Sequence, residues 1–329
     1  MTDTVLSIRG LTASFPTSRG EAAAVAGVDL DLRAGEVLGL VGESGSGKSV
    51  TLRAILGLVR PPVRIAGQVL WQGRDLLTLP PAALRRVRGG EIATIFQEPM
   101  TALNPVLPIG LQIDESLRAH TQLGRRARHD RARELLDLVG IPAAAKRLDD
   151  YPHQFSGGMR QRAMIAIALA SEPQLLLADE PTTALDVTIQ DQILTLLLQL
   201  RDRLGMSVIL VTHDLGVVAQ SCDRMAVMYA GRVVETGPVA DVFRQPRHAY
   251  TLGLLNSVPR GDGPRQPLQS IEGSPPSLTD RPPGCAFAPR CAFATPYCRA
   301  ELPVLTAAGH DAAVACFETD RVSAARGAA

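Results

Sequence analysis

The residues with the clearest chemical potential form a glycine-rich stretch that fits the Gly-x-x-x-x-Gly-Lys-Ser/Thr pattern at every required position. An apolar run at 37–41 precedes this stretch and a helical pattern at 51–59 follows it, so it lies at a strand-to-helix turn. Glycines let the backbone wrap around phosphate oxygens, so successive N–H groups can face the anion. The residues predicted to hold a nucleotide by its phosphates are Gly42, Glu43, Ser44, Gly45, Ser46, Gly47, Lys48 and Ser49.

Two side chains of this loop carry specific chemistry. Lys48 is expected to place a positive charge at the β- and γ-phosphates, and the hydroxyl of Ser49 is expected to bind Mg²⁺. A glycine-rich turn with a chance Gly-Lys-Ser is the alternative, and the flanking elements argue against it. The loop alone leaves open whether the nucleotide is a substrate, a switch or a regulator.

Two carboxylates, Asp179 and Glu180, end an apolar run at 174–178 and therefore follow a buried strand. Open α/β sheets bind ligands at the carboxyl ends of their strands. One carboxylate can hold Mg²⁺ while the next orients water. A chance Asp-Glu pair on a solvated turn is the alternative reading.

Two further polar residues follow strand patterns of the same kind. Gln97 follows 92–96, and His213 follows 207–211, so both are expected at the same edge of the sheet. The amide of Gln97 can touch Mg²⁺ or the attacking water. A lone histidine is more often structural, but the position of His213 at a strand end favours a functional role.

The elements that must position these residues indicate an α/β fold. Alternating apolar and polar residues at 4–35 predict an antiparallel β layer, and helical periodicity dominates 111–172. Short continuous apolar runs at 174–179 and 207–211 are typical of central parallel strands, and a helix is predicted between them at 187–204.

Composition excludes several function classes. The 329 residues include 34 Lys and Arg against 33 Asp and Glu, and only 4% of residues are aromatic, so nucleic-acid binding is not indicated. We find no apolar run near the ~18 residues of a spanning helix. The first residues lack the pattern of a secretory signal, so we expect a cytosolic protein.

The segment Phe155, Ser156, Gly157, Gly158 and Met159 precedes a helix and places exposed N–H groups and a hydroxyl at its start. With the motifs above, it resembles the signature motif of the ATP-binding subunits of ABC transporters. In that family the motif is offered across a head-to-tail dimer to ATP on the other subunit. Phe155 and Met159 depart from the usual Leu and Gln.

The resemblance implies ATP and Mg²⁺ as ligands and an ABC-type fold, with an antiparallel β layer, a mixed core sheet and a helical insert. It also implies roles for residues outside the loop: Asp179 and Gln97 at Mg²⁺, Glu180 as the base that polarises water, His213 as the switch histidine, Asp186 as the D-loop residue, and Phe15 as the ring stacked on adenine. Catalysis would rest on Glu180, His213, Gln97 and Lys48. A core phenylalanine is the alternative for Phe15.

A narrower resemblance comes from the segments 96–105, 151–154, 228–231 and 247–251, which are similar to the dipeptide/oligopeptide importer ATPases. It implies an ABC nucleotide-binding domain at 1–245, with the helical insert at about 100–172, and a small Cys-rich C-terminal extension at 246–329. The family usually has Pro where this chain has Ala249. Its cargoes include peptides, nickel complexes and glutathione.

The resemblance also implies partners. We expect a second, similar ATPase as the other half of a heterodimer, two transmembrane permease subunits, an extracytoplasmic solute-binding protein and no nucleic acid. The chain would lie peripherally on the cytoplasmic face of the inner or plasma membrane. A ribosome- or DNA-associated ABC ATPase is the alternative, but this chain has one P-loop and too short an insert for a long coiled coil.

Four of the five cysteines fall in the last 45 residues, at Cys285, Cys291, Cys298 and Cys316. In a cytosolic protein disulfides are disfavoured, which leaves a metal site or four unpaired thiols. Four thiolates suit Zn²⁺ or an iron–sulfur cluster, and the lack of a Cys-x-x-Cys pair weakens the zinc alternative. Resemblance to the importer subgroup implies a [4Fe–4S] cluster, with Zn²⁺ or no metal as alternatives.

Overall fold

A computed structural model describes residues 3–18, 20–183, 185–257 and 270–327. The strands are β1 (Thr4–Thr17), β2 (Gly20–Arg33), β3 (Val37–Val41), β4 (Arg64–Trp71), β5 (Arg74–Asp75), β6 (Ile92–Ile95), β7 (Leu175–Asp179), β8 (Ser207–Thr212), β9 (Arg224–Tyr229), β10 (Arg232–Pro238), β11 (Thr306–Ala307) and β12 (Ala313–Val314). The helices are α1 (Lys48–Ile55), α2 (Pro81–Gly90), α3 (Pro99–Ala102), α4 (Ile109–His120), α5 (Arg125–Leu138), α6 (Ala144–Arg147), α7 (Gly157–Ala168), α8 (Val187–Leu204), α9 (Leu215–Ser221), α10 (Val239–Arg244), α11 (Ala249–Asn256), α12 (Pro296–Ala300) and α13 (Thr319–Gly327). Short 3₁₀ turns lie at Leu76–Thr78, Pro152–Gln154 and Ala288–Arg290.

The chain forms two compact units. The helical unit contains Arg33–Glu36 and Thr78–Val211. The β-rich unit contains Asp3–Leu32, Val37–Leu77 and the described residues from Thr212 onward. None of the helices in the described ranges is long and apolar enough to cross a bilayer.

The helical unit is built on parallel strands. β7 pairs with β6 on one side and with β8 on the other, both in parallel, and every residue of β7 is buried. A parallel strand that is buried along its whole length needs apolar residues at every position, which agrees with the uninterrupted apolar run in the sequence. Helices α4, α5 and α7 pack against one another, so the predicted parallel strands and helical insert are confirmed.

The β-rich unit contains an antiparallel sheet and a mixed one. The first has the strand order β2-β1-β4-β5, in agreement with the predicted antiparallel layer. The second runs β11-β12-β10-β9-β3, with β3 parallel to β9 and the other pairs antiparallel. The mixed sheet places the carboxyl end of β3 directly before the predicted phosphate-binding loop.

Helix α1 differs from its predicted span of 51–59. It begins at Lys48 and ends at Ile55, well before Pro61 and Pro62, the next residues in the sequence that would stop a helix. The backbone N–H of Leu58 donates to the carbonyl of Arg53 at 2.8 Å, and Gly57 has a φ of 58°. These are features of a glycine-closed helix end, so Gly57 ends the helix a turn early.

The C-terminal residues join the mixed sheet. β12 pairs with β10 through Glu235–Val314 and Thr236–Ala313. The buried carboxylate of Glu235 also accepts hydrogen bonds from the backbone N–H groups of Arg247 and His248, at 2.7 and 3.0 Å, and burial raises its pKa. Residues 260–283 are rich in Pro, Gly, Ser and Arg, which predicts an extended connection. This segment lies partly outside the described residues, and 270–283 forms neither helix nor strand.

Candidate nucleotide and metal sites

Two glycines of the phosphate-binding loop lie so close to other backbone segments that a larger residue would clash there. Gly47 has a φ of 104°, and a Cβ there would lie 2.5 Å from the carbonyl oxygen of Ala24 on β2. A Cβ on Gly42 would overlap the carbonyl oxygen of Met228 on β9. Gly45 has a φ of 79°, but a Cβ there would meet no atom within 4 Å. Glycine is thus required sterically at the two ends of the loop and conformationally in its middle.

Lys48 begins helix α1 and points its ammonium back into the loop. Its Nζ donates to the carbonyl oxygens of Gly42 and Glu43 at 2.7 and 3.0 Å, and approaches Ser46 Oγ at 3.5 Å. Lys48 as a whole residue is 5% exposed. A buried cation therefore lies beside the start of a helix, where the helix dipole also favours an anion.

Glu43 is fixed by two residues that sequence reasoning did not identify. Its backbone N–H donates to Tyr250 Oη at 2.7 Å, and its carboxylate accepts two hydrogen bonds from Arg290, at 2.9 and 3.1 Å. Burial raises the pKa of Tyr250, which keeps its hydroxyl protonated. Because the N–H of Glu43 already donates to the Tyr250 hydroxyl, this N–H is not among those that the loop can offer to a phosphate. Separations of 207 and 247 residues left no local pattern that could have revealed these contacts.

In the helical unit, Gln97 and Glu180 come together as predicted from their positions at strand ends. Gln97 Nε2 donates to Glu180 Oε2 at 3.1 Å, and the hydroxyl of Thr183 donates to the same oxygen at 2.7 Å. Glu180 has a φ of 46°, which is uncommon for a non-glycine residue and typical of functional sites. Asp179 is buried at the end of β7. The sequence analysis did not identify Thr183. Its position three residues after Glu180, within reach of that carboxylate, was the signal that the sequence offered.

Ser156 and Asp186 each cap the start of a helix in the same unit. Ser156 Oγ accepts the N–H of Met159 at 3.3 Å, and the carboxylate of Asp186 accepts the N–H of Ile189 at 2.9 Å. A Cβ on Gly158 would lie 3.0 Å from Ile189, so α7 and α8 approach closely at this glycine. The departure at Phe155 has a packing reason, because this ring is buried.

The remaining predicted residues lie in the β-rich unit, with the loop. His213 is exposed just after β8, and Phe15 is half-buried on β1. The predicted site is therefore divided: the phosphate-binding loop, His213 and Phe15 belong to the β-rich unit, whereas Gln97, Glu180, Asp179, Ser156, Gly157, Gly158 and Asp186 belong to the helical unit.

The four C-terminal cysteines line one small cavity, together with Phe287, Ala288 and other residues. Burial raises the pKa of the Cys316 thiol to about 11, and repulsion from the other three cysteines adds to the shift. Within the described ranges, however, no group of three or more His, Cys, Asp or Glu side chains is arranged to hold a metal ion. The thiols are neighbours, but they are not in a ligating arrangement.

Comparisons with known proteins agree with this geometry. A family model described as ABC transporter matches residues 25–183, and one described as oligopeptide/dipeptide transporter, C-terminal region, matches residues 234–298. A putative peptide import ATP-binding protein of Brucella abortus is 53% identical over 93% of this chain and 92% of its own length. A probable peptide ABC transporter ATP-binding protein of Sinorhizobium fredii is 49% identical over 97% and 96%.

A solved ATP-binding cassette, captured as a dimer in a post-hydrolysis state with ADP and Pi, matches 71% of this chain and 98% of its own, with 29% identity and a TM-score of 0.64. The fold and site thus define an ABC-type ATPase. The chain belongs to the family of ABC transporter ATP-binding proteins, and within it to the members that carry the oligopeptide/dipeptide transporter C-terminal region.

The loop geometry predicts that Gly47→Ala and Gly45→Ala differ in stability. Both substitutions place a side chain at a positive φ, which costs about 1 kcal/mol. Only Gly47→Ala adds a clash with the carbonyl of Ala24, so we expect it to lower the free energy of unfolding by a further ~1–3 kcal/mol. Thermal unfolding of the nucleotide-free proteins measures this, and equal melting temperatures would contradict the close approach.

Proposed function

We propose that the chain is the ATP-hydrolysing subunit that energises import of di- or oligopeptides, or of a related small solute, through an ABC transporter. The observation that carries this proposal is the order of the two family matches, an ABC transporter region followed by the oligopeptide/dipeptide C-terminal region. The names of the relatives, which span nearly the whole chain, support the same cargo class.

We divide the chain into a nucleotide-binding domain at 1–245, with its helical insert at about 100–172, and a C-terminal extension at 246–329. The division is supported by the family matches, which fall mainly on either side of it. The pairing of β12 with β10 means that the extension adds strands to the sheet of the preceding domain rather than forming a core alone.

The proposed reaction is attack of water on the γ-phosphate of ATP. The loop Gly42–Ser49 holds the phosphates through its N–H groups and through Lys48, whose ammonium already lies inside the loop. When bound, Mg²⁺ would be held by Ser49, Gln97 and Asp179 and would neutralise charge on the phosphates. Glu180 polarises the water, and its carboxylate is aimed by Gln97 and Thr183.

A second subunit completes the proposed site. His213 acts as the switch histidine at the end of β8, and Phe15 stacks on adenine. Residues Ser156, Gly157 and Gly158 face ATP on the partner subunit, with Asp186 at the dimer seam. The dimeric state of the solved cassette supports this arrangement, and a heterodimer with a similar ATPase is the form we propose.

Replacing Glu180 by Gln should separate ATP binding from hydrolysis. The amide keeps the shape of the side chain but accepts no proton from water, so we expect turnover to fall about 100-fold or more while the Kd for ATP stays within threefold. Glu172→Gln, at an exposed glutamate of the same unit, is the matched control and should retain full turnover. Undiminished hydrolysis in Glu180→Gln would remove the proposed role of Glu180.

The proposed partners are two transmembrane permeases, reached on the cytoplasmic face of the membrane, and an extracytoplasmic binding protein that delivers cargo. A tagged full-length chain, recovered from detergent-solubilised membranes, should bring permease subunits with it; an untagged strain is the control. Co-sedimentation with ribosomes or DNA and no permease would instead favour a non-transport ABC ATPase.

We further propose that Cys285, Cys291, Cys298 and Cys316 hold a [4Fe–4S] cluster, with Zn²⁺ as the alternative. In support, all four cysteine residues line one cavity whose other walls are largely apolar. Buried thiols whose pKa is raised ionise readily only beside a cation, as those of Cys285, Cys291 and Cys316 would. The group would be structural and would pin a polar extension to the domain.

Anaerobically purified protein should contain iron and inorganic sulfide in equal amounts, about four of each per chain. Cys316→Ala removes one ligand and should lose most of this iron. Cys222→Ala is the control, because Cys222 lies outside the segment and its pKa is raised to about 12 by burial. Stoichiometric zinc, or no metal in any preparation, would contradict the cluster.

A further inference from the structure

The guanidinium of Arg290 connects the cysteine-bearing segment to the phosphate-binding loop. Its two terminal nitrogens donate to Glu43 Oε2 and Oε1 at 2.9 and 3.1 Å, a bidentate ion pair. The side chain of Arg290 is 6% exposed and that of Glu43 is 25% exposed. Arg290 immediately precedes Cys291, at the end of the 3₁₀ turn Ala288–Arg290.

Every N–H of this guanidinium has an acceptor. Besides the two bonds to Glu43, Arg290 donates to Tyr229 Oη at 3.2 Å and to the carbonyl oxygens of Ile271 and Glu272 at 3.2 and 2.9 Å. An arginine has five N–H donors in a fixed planar fork, and all five are used here. Lysine has three donors on a single nitrogen and could not reproduce the set. The contact is thus specific to arginine.

The Glu43 carboxylate needs such a partner if the loop is to hold a polyanion. Glu43 contributes its carbonyl oxygen to the Lys48 ammonium at 3.0 Å, so its charged side chain starts from the wall of the phosphate-binding loop itself. An unpaired carboxylate at this position would repel ATP, because Coulomb repulsion in a partly buried site is only weakly screened. Arg290 cancels that charge and also fixes the side chain that carries it.

We propose that Arg290 is a positioning residue for nucleotide binding, which neutralises and orients Glu43 and thereby makes ATP affinity depend on the C-terminal segment. This inference rests on the proposed function of the loop and extends it to a region far away in sequence. The Tyr250 hydroxyl holds the backbone of the same glutamate at 2.7 Å, so the loop residue is held at two points from the C-terminal side of the chain.

The test compares equilibrium binding of ATP, ADP and adenosine to the full-length protein and its variants. In Arg290→Gln we expect the Kd for ATP to rise on the order of tenfold, that for ADP to rise less, and that for adenosine to stay unchanged, because the repulsion scales with ligand charge. In the Glu43→Gln background the same arginine substitution should change the Kd for ATP by less than about threefold. Arg321→Gln, which removes an exposed ion pair with Glu318 in the same segment, is the control.

Each outcome is decisive. Equal ATP affinity in Arg290→Gln and wild type overturns the inference, as does a loss that persists undiminished in the Glu43→Gln background, since that loss would be purely structural. If Arg290→Gln does not fold, Arg290→Lys replaces it. Because lysine keeps the charge but not the five donors, we expect this variant to bind ATP more weakly than wild type. Lys48→Ala in the same assay separates the two proposals: if it binds ATP as wild type does, the proposed function of the loop fails, whereas a Lys48 effect without an Arg290 effect overturns only this inference.

Discussion

Contacts between backbone atoms confine the phosphate-binding loop against β2 and the turn between β9 and β10. The carbonyl of Ser46 accepts the N–H of Gly231, and the carbonyl of Gly231 accepts the N–H of Ala26, both at 2.8 Å. The loop, the turn between β9 and β10, and strand β2 are thus linked in series, and glycines at 47 and 231 face the carbonyl of Ala24 with no room for a Cβ. These contacts fix where helix α1 begins. Because Lys48 is the first residue of this helix, they also fix the position of its ammonium.

An aromatic cluster supports the same loop from the C-terminal side. Tyr229 and Tyr250 lie with ring centroids 4.6 Å apart, and Phe287 meets Tyr229 edge-on at 5.2 Å. Each such pair contributes about 0.5–1.5 kcal/mol beyond its buried area. The guanidinium of Arg290 lies 5.8 Å from the Tyr229 ring and 5.7 Å from the Phe287 ring, so the cluster also holds the arginine against the loop. The packing of these aromatic rings therefore helps to orient the ion pair between Arg290 and Glu43, and the two depend on each other.

Local sequence patterns predicted those features that short stretches of the chain determine by themselves. The loop, the buried strand before Asp179 and the position of Gln97 and Glu180 at the ends of strands follow from apolar runs that end in polar residues, because parallel strands bring such ends together. The early end of α1 depended on one left-handed glycine, Gly57, which a periodicity argument does not weigh. The contacts of Arg290 and Tyr250 with Glu43 had no sequence signal, since tertiary packing alone brings distant charges and hydroxyls together. The four cysteines were expected to form one group, and they do line one cavity, but their spacing does not determine ligating geometry.

The pairing of β12 with β10 bears on where this protein can be truncated. It covers the edge of β10, and β11 follows it outward, so the mixed sheet of the β-rich unit ends in two very short strands. Short terminal strands are one way in which proteins avoid presenting a long open edge. A cassette cut before residue 246 would leave the N–H and C=O groups of β10 unpaired over the stretch that β12 covers, and such an edge recruits strands from other molecules. The C-terminal segment thus covers part of an edge that the preceding strands would otherwise leave open.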